Sequence, residues 1–270
     1  MADAQGTARQ VQDSEWFDRL VRVGLVAYGI VHVLIGWLAL QLAFGDSSGA
    51  ASQQGALTQI AQQSFGSALL WVIALGLLAL VVWQAIEAFV GHRSRDEPKR
   101  TLKRVASGGK AVLYFVLMFS ALQTAVGDSS SSSKDSMTAK LMDLPFGRGL
   151  VVVVGLVIIG VAVALAVKGA KKKFEKDLDS RATSGHSGTV VEKLGQVGYI
   201  AKGVALAVLG GLFVWAGWTY DAQKAGGLDV ALRTLLDTGS GPWLLALVAA
   251  GIVCFGAYCF AWARYADTSS

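Results

Sequence analysis

The chain has 270 residues, 53% of them hydrophobic and only 16% charged, with 32 glycines, three prolines and a mean hydropathy of +0.50. Soluble domains carry about 25% charged residues, so this sequence lacks the polar surface that keeps a protein in water. A soluble enzyme, a disordered tail and, with two cysteines, a disulfide scaffold are excluded.

Residues 1–21 are polar and mixed in charge, and read as a cytoplasmic N-terminal segment. Two spans follow in residues 22–91, Val23–Phe44 and Ala68–Val90, each near the roughly 20 apolar residues that cross a bilayer. The first is too long for a signal-peptide core and no small-residue cleavage site ends it. After a basic loop at 92–104, residues 105–168 hold spans Val105–Val126 and Leu150–Val167. A second basic loop at 169–196 leads to residues 197–265, with spans Val197–Trp218 and Trp243–Arg264, and a tail at 266–270.

Of the 24 lysines and arginines, 19 fall on the side of the two long loops and both termini. The positive-inside bias makes that side cytoplasmic, so the expected location is the inner membrane with both termini inside. This asymmetry explains the net charge of +5 by topology, so no nucleic-acid partner is expected and the bilayer is the one partner indicated. Cys254 and Cys259, five apart in the last span, are small packing residues. No metal, nucleotide or nucleophile motif occurs, so no cofactor, no metal and no enzymatic activity are expected.

The spans repeat. An offset of 82 superposes Ala39-Leu40-Gln41 on Ala121-Leu122-Gln123 and Gly45-Asp46-Ser47-Ser48 on Gly127-Asp128-Ser129-Ser130; a further 92 places Lys202-Gly203 on Lys110-Ala111. The even spans each follow a short amphipathic segment: GALTQIAQQSFG, SMTAKLMDLPFG and GLDVALRTLLDTGSG. Within them Leu57, Ile60 and Ala61 share a face, as do Leu228, Ala231, Leu232 and Leu235, the pattern of short interfacial helices. A unit with two crossings keeps one orientation, so three copies relate by an axis along the membrane normal. The expected fold is an all-α membrane protein: six transmembrane helices as three parallel-oriented tandem hairpins in a pseudo-threefold bundle, with short interfacial helices outside.

These stretches, YGIVHVLIGWLALQLA with GALTQIAQQSFGSALLW, then VLYF and LMDLPFGRGL, then GYIAKGVALAVLG with GLDVALRTLLDTGSGPWLL, resemble the bacterial membrane family named only as domain of unknown function 1206. The resemblance covers about residues 16 to 265. It implies a bacterial, actinobacterial-type inner-membrane protein and brings no activity with it. The third unit departs from the second, with Thr238-Gly239-Ser240-Gly241 in place of Pro145-Phe146-Gly147.

In register, the odd spans carry a stripe at i, i+4, i+8, one face of a helix. Its levels are Tyr28, Lys110 and Lys202, then His32, Tyr114 and Leu206, then Gly36, Met118 and Gly210. Threefold symmetry turns this face toward a common axis, which predicts a polar, cytoplasm-facing, anion-preferring pocket of Tyr28, His32, Lys110, Tyr114 and Lys202. Glu87, one turn from the inner end of its span, is the expected counter-charge, and Lys168 is its aligned counterpart. Gly29, Gly36, Gly203 and Gly210 are expected where helix backbones approach closely. The plainer reading makes the lysines snorkelling anchors and His32 a hydrogen-bonded packing residue. The serine run Ser129–Ser133 reads as a linker and Lys171–Lys176 as a topology signal. The function expected is a non-enzymatic membrane scaffold or assembly partner; the alternative is a small transporter or channel using the axial pocket.

Overall fold

The computed structural model of the protein describes residues 15–45, 49–89, 97–127, 146–178, 182, 185–219, 221, 227–237 and 239–265. The serine run and the amphipathic segment before Phe146 lie outside these residues. The described helices are α1 (Glu15–Ala43), α2 (Gln53–Ala61), α3 (Gly66–Phe89), α4 (Glu97–Val126), α5 (Gly147–Ala170), a 3-10 helix (Lys173–Asp177), α6 (Gly185–Thr219), α7 (Leu228–Leu236) and α8 (Gly241–Tyr265). Six of them, α1, α3, α4, α5, α6 and α8, are long and apolar enough to cross a membrane.

Both basic loops are shorter than the sequence reading has them. Helix α4 runs back to Glu97 and α6 to Gly185, because a helix that leaves the apolar layer continues while its residues favour it. Pro98 and Pro242 sit in the first turns of α4 and α8, where proline costs no intrahelical bond.

The six long helices pack in the order α4–α3–α1–α8–α6–α5, each on the next. In terms of chain order this is a ring of successive spans, and the most extensive seams join neighbouring repeats, α3 with α4, α5 with α6, and α8 with α1. Glycines set two of these seams, α8 with α1 and α5 with α6. A Cβ on Gly29 would lie 2.9 Å from the Gly256 carbonyl oxygen, and one on Gly36 would lie 2.8 Å from that of Ala249. The α5–α6 seam repeats this: Gly203 meets the Ala162 carbonyl at 2.8 Å and Gly210 meets that of Gly155 at 2.8 Å. The paired positions are related by the repeat, so one packing solution is used twice.

The ring has a break. Hairpin partners pack together in the first repeat (α1 with α3) and the third (α6 with α8), but α4 and α5 share no packed seam. The cause is legible at one level. In the first hairpin a Cβ on Gly24 would stand 2.3 Å from the Gly76 oxygen, and in the third a Cβ on Gly251 would stand 2.2 Å from the Ala201 methyl while one on Gly198 would strike Phe255 backbone at 2.5 Å. The offset of 82 places Ala106 at the odd-span position, and aligning Phe65-Gly66 with Phe146-Gly147, an offset of 81, places Val157 at the even-span position of the second hairpin. Both are exposed, Val157 at 61%. Small residues let membrane helices touch, and the second hairpin has lost its pair.

Short helices cover the end opposite the basic loops. Helix α2 buries Ala56, Leu57 and Ile60, and α7 buries Ala231, Leu232 and Leu235. Ser52 caps α2 by accepting from the Gly55 N–H at 3.2 Å. Asp229 ties the two caps: its Oδ1 accepts from the Ala51 N–H at 2.7 Å and its Oδ2 from Arg233 Nε at 2.8 Å. The chain then turns back into the bundle through Gly66 and Gly241, where a Cβ would meet the Ile60 and Leu236 carbonyl oxygens at 2.1 and 1.8 Å.

Candidate functional site

The polar stripe of the odd helices meets inside the basic half of the bundle. Lys202 on α6 donates from Nζ to the Tyr28 hydroxyl oxygen at 2.5 Å and to His32 Nε2 at 3.0 Å, both on α1. His32 Nδ1 lies 2.8 Å from the Tyr28 carbonyl oxygen. A carbonyl only accepts, so Nδ1 carries the proton and Nε2 is left as the acceptor for Lys202. The i, i+4 spacing of Tyr28 and His32 makes both bonds possible, by stacking the two side chains on one face of α1.

Ring faces complete the lysine's surroundings. Lys202 Nζ sits 4.2 Å from the centre of the Phe255 ring on α8 and 4.8 Å from that of Tyr28. Such contacts are worth about 0.5–2 kcal/mol as the site is desolvated. Among the described residues no carboxylate reaches Lys202 to form an ion pair. Oxygen, nitrogen and two aromatic faces hold the ammonium group instead.

Tyr114 of α4 joins the cluster edge-on, its ring 5.3 Å from Tyr28 and perpendicular to it. Lys110 lies one turn away, on the same helical face as the buried Tyr114, Leu117 and Ala121, and is nevertheless exposed. Lys103, Lys168, Asp177 and Glu87 are charged groups in its surroundings. Glu87 is buried on α3. Its charge acts on Lys110, whereas the charged neighbours of Lys202 are Lys168 and Lys110. Leu206, level with His32 and Tyr114, contributes a half-buried aliphatic chain.

Several residues escaped the sequence reading. Phe174, the one apolar residue in KKKFEKD, is fully buried in the 3-10 helix after α5, stacked on Tyr199 at 5.5 Å and edge-on to Tyr258 at 5.2 Å. The basic tract is thus anchored to the bundle by a ring. Lys168 pairs with Asp177 at 2.5 Å and lies over the Tyr199 ring at 4.8 Å. Lys172 pairs with Glu192 at the base of α6, and that hydrogen bond holds its ammonium group above the usual lysine range. The aromatic column Tyr28, Phe255, Tyr199, Tyr258 and Trp262 continues to Trp83 on α3. A solitary Phe amid lysines was the available signal for this anchor; nothing in the periodicity of α8 singles out Phe255.

Gly29, Gly36, Gly203 and Gly210 lie in the inter-repeat seams described above. Cys259 is buried and Cys254 half-buried, both as free thiols. Among the described residues no three His, Cys, Asp or Glu side chains are grouped so as to hold a metal ion.

A relative from Bacillus subtilis (strain 168), "Uncharacterized protein YxxB", is 27% identical over 245 residues, covering 90% of this chain and 89% of its own. No solved structure matches. Residues 23–91, 105–172 and 197–266 each match the family described as Domain of Unknown Function (DUF1206), so the chain is a three-repeat member of that family.

Proposed function

We propose that this multi-pass membrane protein is a non-enzymatic scaffold that acts by holding partner proteins in the bilayer. The observation that carries this reading is the state of Lys202: its ammonium group is fully occupied by Tyr28, His32 and two ring faces. A hydrogen-bonded cluster of this kind fixes how α1, α6 and α8 meet, with the Tyr114 ring of α4 packed edge-on against it. Partners then have the outer faces, of which α4 and α5 offer the most.

Photo-crosslinking side chains at Val116 and Val157, both exposed, test this in native membranes. Discrete protein adducts of constant mass are expected. The transporter alternative draws on the meeting of Lys110, Lys168 and Lys202 at one end of the axis. Anion flux into proteoliposomes that disappears in Lys202→Met would replace the scaffold with that reading.

The protein sits, on this proposal, in a bacterial inner membrane with both termini cytoplasmic, supported by the 19 of 24 basic residues on one side. Cysteines at Ser48, Ser131 and Ala225 should label with an impermeant thiol reagent in intact cells. Labelling at Ser94 and Ser184 instead reverses the orientation.

A further inference from the structure

The chain that leaves α5 folds back on the bundle. The Lys171 N–H closes the helix on the Val167 carbonyl oxygen at 3.0 Å, and Lys172 then turns left-handed at φ 53°. Residues with a long side chain seldom adopt that conformation, so the contacts that follow must hold it. Phe174 and Leu178 are buried, and Phe174 stacks on the Tyr199 ring of α6. Gly195 of α6 leaves the room, since a Cβ there would stand 2.5 Å from the Phe174 ring. Lys172 pairs with Glu192 of α6, and Lys168 with Asp177 at 2.5 Å. A charge that only sets topology needs no fold, and this tract has one.

The same fold leaves Lys171, Lys173 and Lys176 exposed. Their ammonium groups have no hydrogen-bond or ion-pair partner among the described residues. They begin at the residue after α5 ends, and α5 is the least covered span, with 17% of its most apolar stretch buried. Val163, Val167 and Lys171 follow at i, i+4 and i+8, one exposed row that leads from the span to the first lysine.

We propose that this folded tract docks on anionic phospholipid of the surrounding bilayer, with Lys171, Lys173 and Lys176 meeting the headgroup phosphates and acyl chains lying along Val167 and Val163. Two features select this occupant. Lysines clustered directly at the end of a membrane helix stand where anionic headgroups gather. The exposed apolar row that leads up to them is a surface that a soluble anion or a nucleic acid would not use. The inference does not depend on the scaffold reading, because the tract meets the bilayer whatever the bundle does.

Electron spin resonance of the full chain in phosphatidylcholine vesicles, with trace spin-labelled phosphatidylglycerol or phosphatidylcholine, tests it. The unaltered protein should immobilise the phosphatidylglycerol label preferentially. Lys173→Gln should lower that preference up to about fivefold, the ordinary pull of one lysine on an anionic membrane surface. The triple variant Lys171→Gln, Lys173→Gln, Lys176→Gln should lose most of it, and exposed positions of this kind seldom affect folding. Arg233→Gln removes one positive charge at the opposite end of the bundle and should change nothing. Equal immobilisation of both labels overturns the proposal, as does a preference that survives in the triple variant. An equal fall in Arg233→Gln would mean diffuse charge attraction and also overturns it. Loss of the preference in excess glycerol phosphate would mean a soluble-anion site, with the same consequence.

Discussion

In the first repeat α1 and α3 close until Gly24 and Gly76 touch, and in the third α6 and α8 close at Gly198 and Gly251; in the second, with Ala106 and Val157 at those places, α4 and α5 do not meet. Each unit contributes two long spans and packs on its neighbours along the chain. At the hairpin crossing the second unit differs by two side chains. A tandem array can therefore keep its ring while one unit is released from it, since the inter-repeat seams hold the helices in sequence. The released unit is also the one that carries the unpaired Lys110. Openness and charge coincide in the second repeat, and close packing of the hairpin marks the other two.

The largest effects are expected where the closed half is made to resemble nothing in either hairpin. Phe174→Ala removes a fully buried ring from beneath Tyr199 and Tyr258. Large-to-small changes of this kind cost about 3–5 kcal/mol, so the unfolding midpoint in detergent should fall steeply. Phe146→Ala, at a position 95% exposed beside the open unit, should leave that midpoint in place. Equal falls would mean that the second repeat is as tightly built as the others.

A direct exchange between repeats comes next. Gly76→Val gives the first hairpin the residue of the second, and its Cβ would stand 2.9 Å from Gly24 Cα. Overpacking costs about 1–3 kcal/mol. Gly36→Leu and Gly210→Leu, in the two equivalent inter-repeat seams, should fall in the same range. Gly160→Leu on α5, where nothing lies within 4 Å, should be silent. If Gly76→Val is tolerated as well as Gly160→Leu, the glycine pair does not explain the difference between the hairpins.

Much of this architecture was legible before any coordinates. Repeats gave the number of units, their common direction and the helix face that carries Tyr28, His32, Tyr114 and Lys202, because an offset preserves both depth and azimuth. Gly29 and Gly36, with their counterparts Gly203 and Gly210, stood out because they recur at one register. The Gly24–Gly76 and Gly198–Gly251 pairs did not, since their significance lies between two helices and periodicity is a property of one. Phe255 and Phe174 were hidden for the same reason. Glu87 was read as the nearby counter-charge from depth alone, and depth leaves open which neighbour a side chain faces.

The internal satisfaction of the closed half can be measured at Lys202. Lys202→Met leaves His32 Nε2 as a buried acceptor without its donor, and truncating one partner of a buried hydrogen bond costs about 1–3 kcal/mol. His32→Leu alone should also destabilise. The double variant should lose less than the sum, since contacting groups couple by about 0.5–3 kcal/mol. Strict additivity would mean that the 3.0 Å contact contributes nothing, and the cluster would then hold the helices by its rings alone.

The smallest effect tests the outer end of the same comparison. Asp229 joins the third repeat's cap helix to the first repeat's through the Ala51 N–H, and Arg233 steadies its other oxygen. Arg233→Gln removes only a half-exposed i, i+4 pair, which is worth about 0.2–0.5 kcal/mol. Asp229→Ala removes the acceptor as well, a charge-assisted bond of about 1.5–3 kcal/mol when shielded and less here, where the carboxylate is partly exposed. The discriminating readout is hydrogen exchange. Asp229→Ala should speed exchange at the Ala51 amide and along α2, and Arg233→Gln should not. If the faster exchange stays within α2 and α7, the caps are local covers and the glycine seams alone keep the first and third repeats closed. If it spreads into the α1–α8 seam, the tether at Asp229 is part of what closes the ring on that side, and the open side differs from it at both ends of the membrane rather than at one crossing.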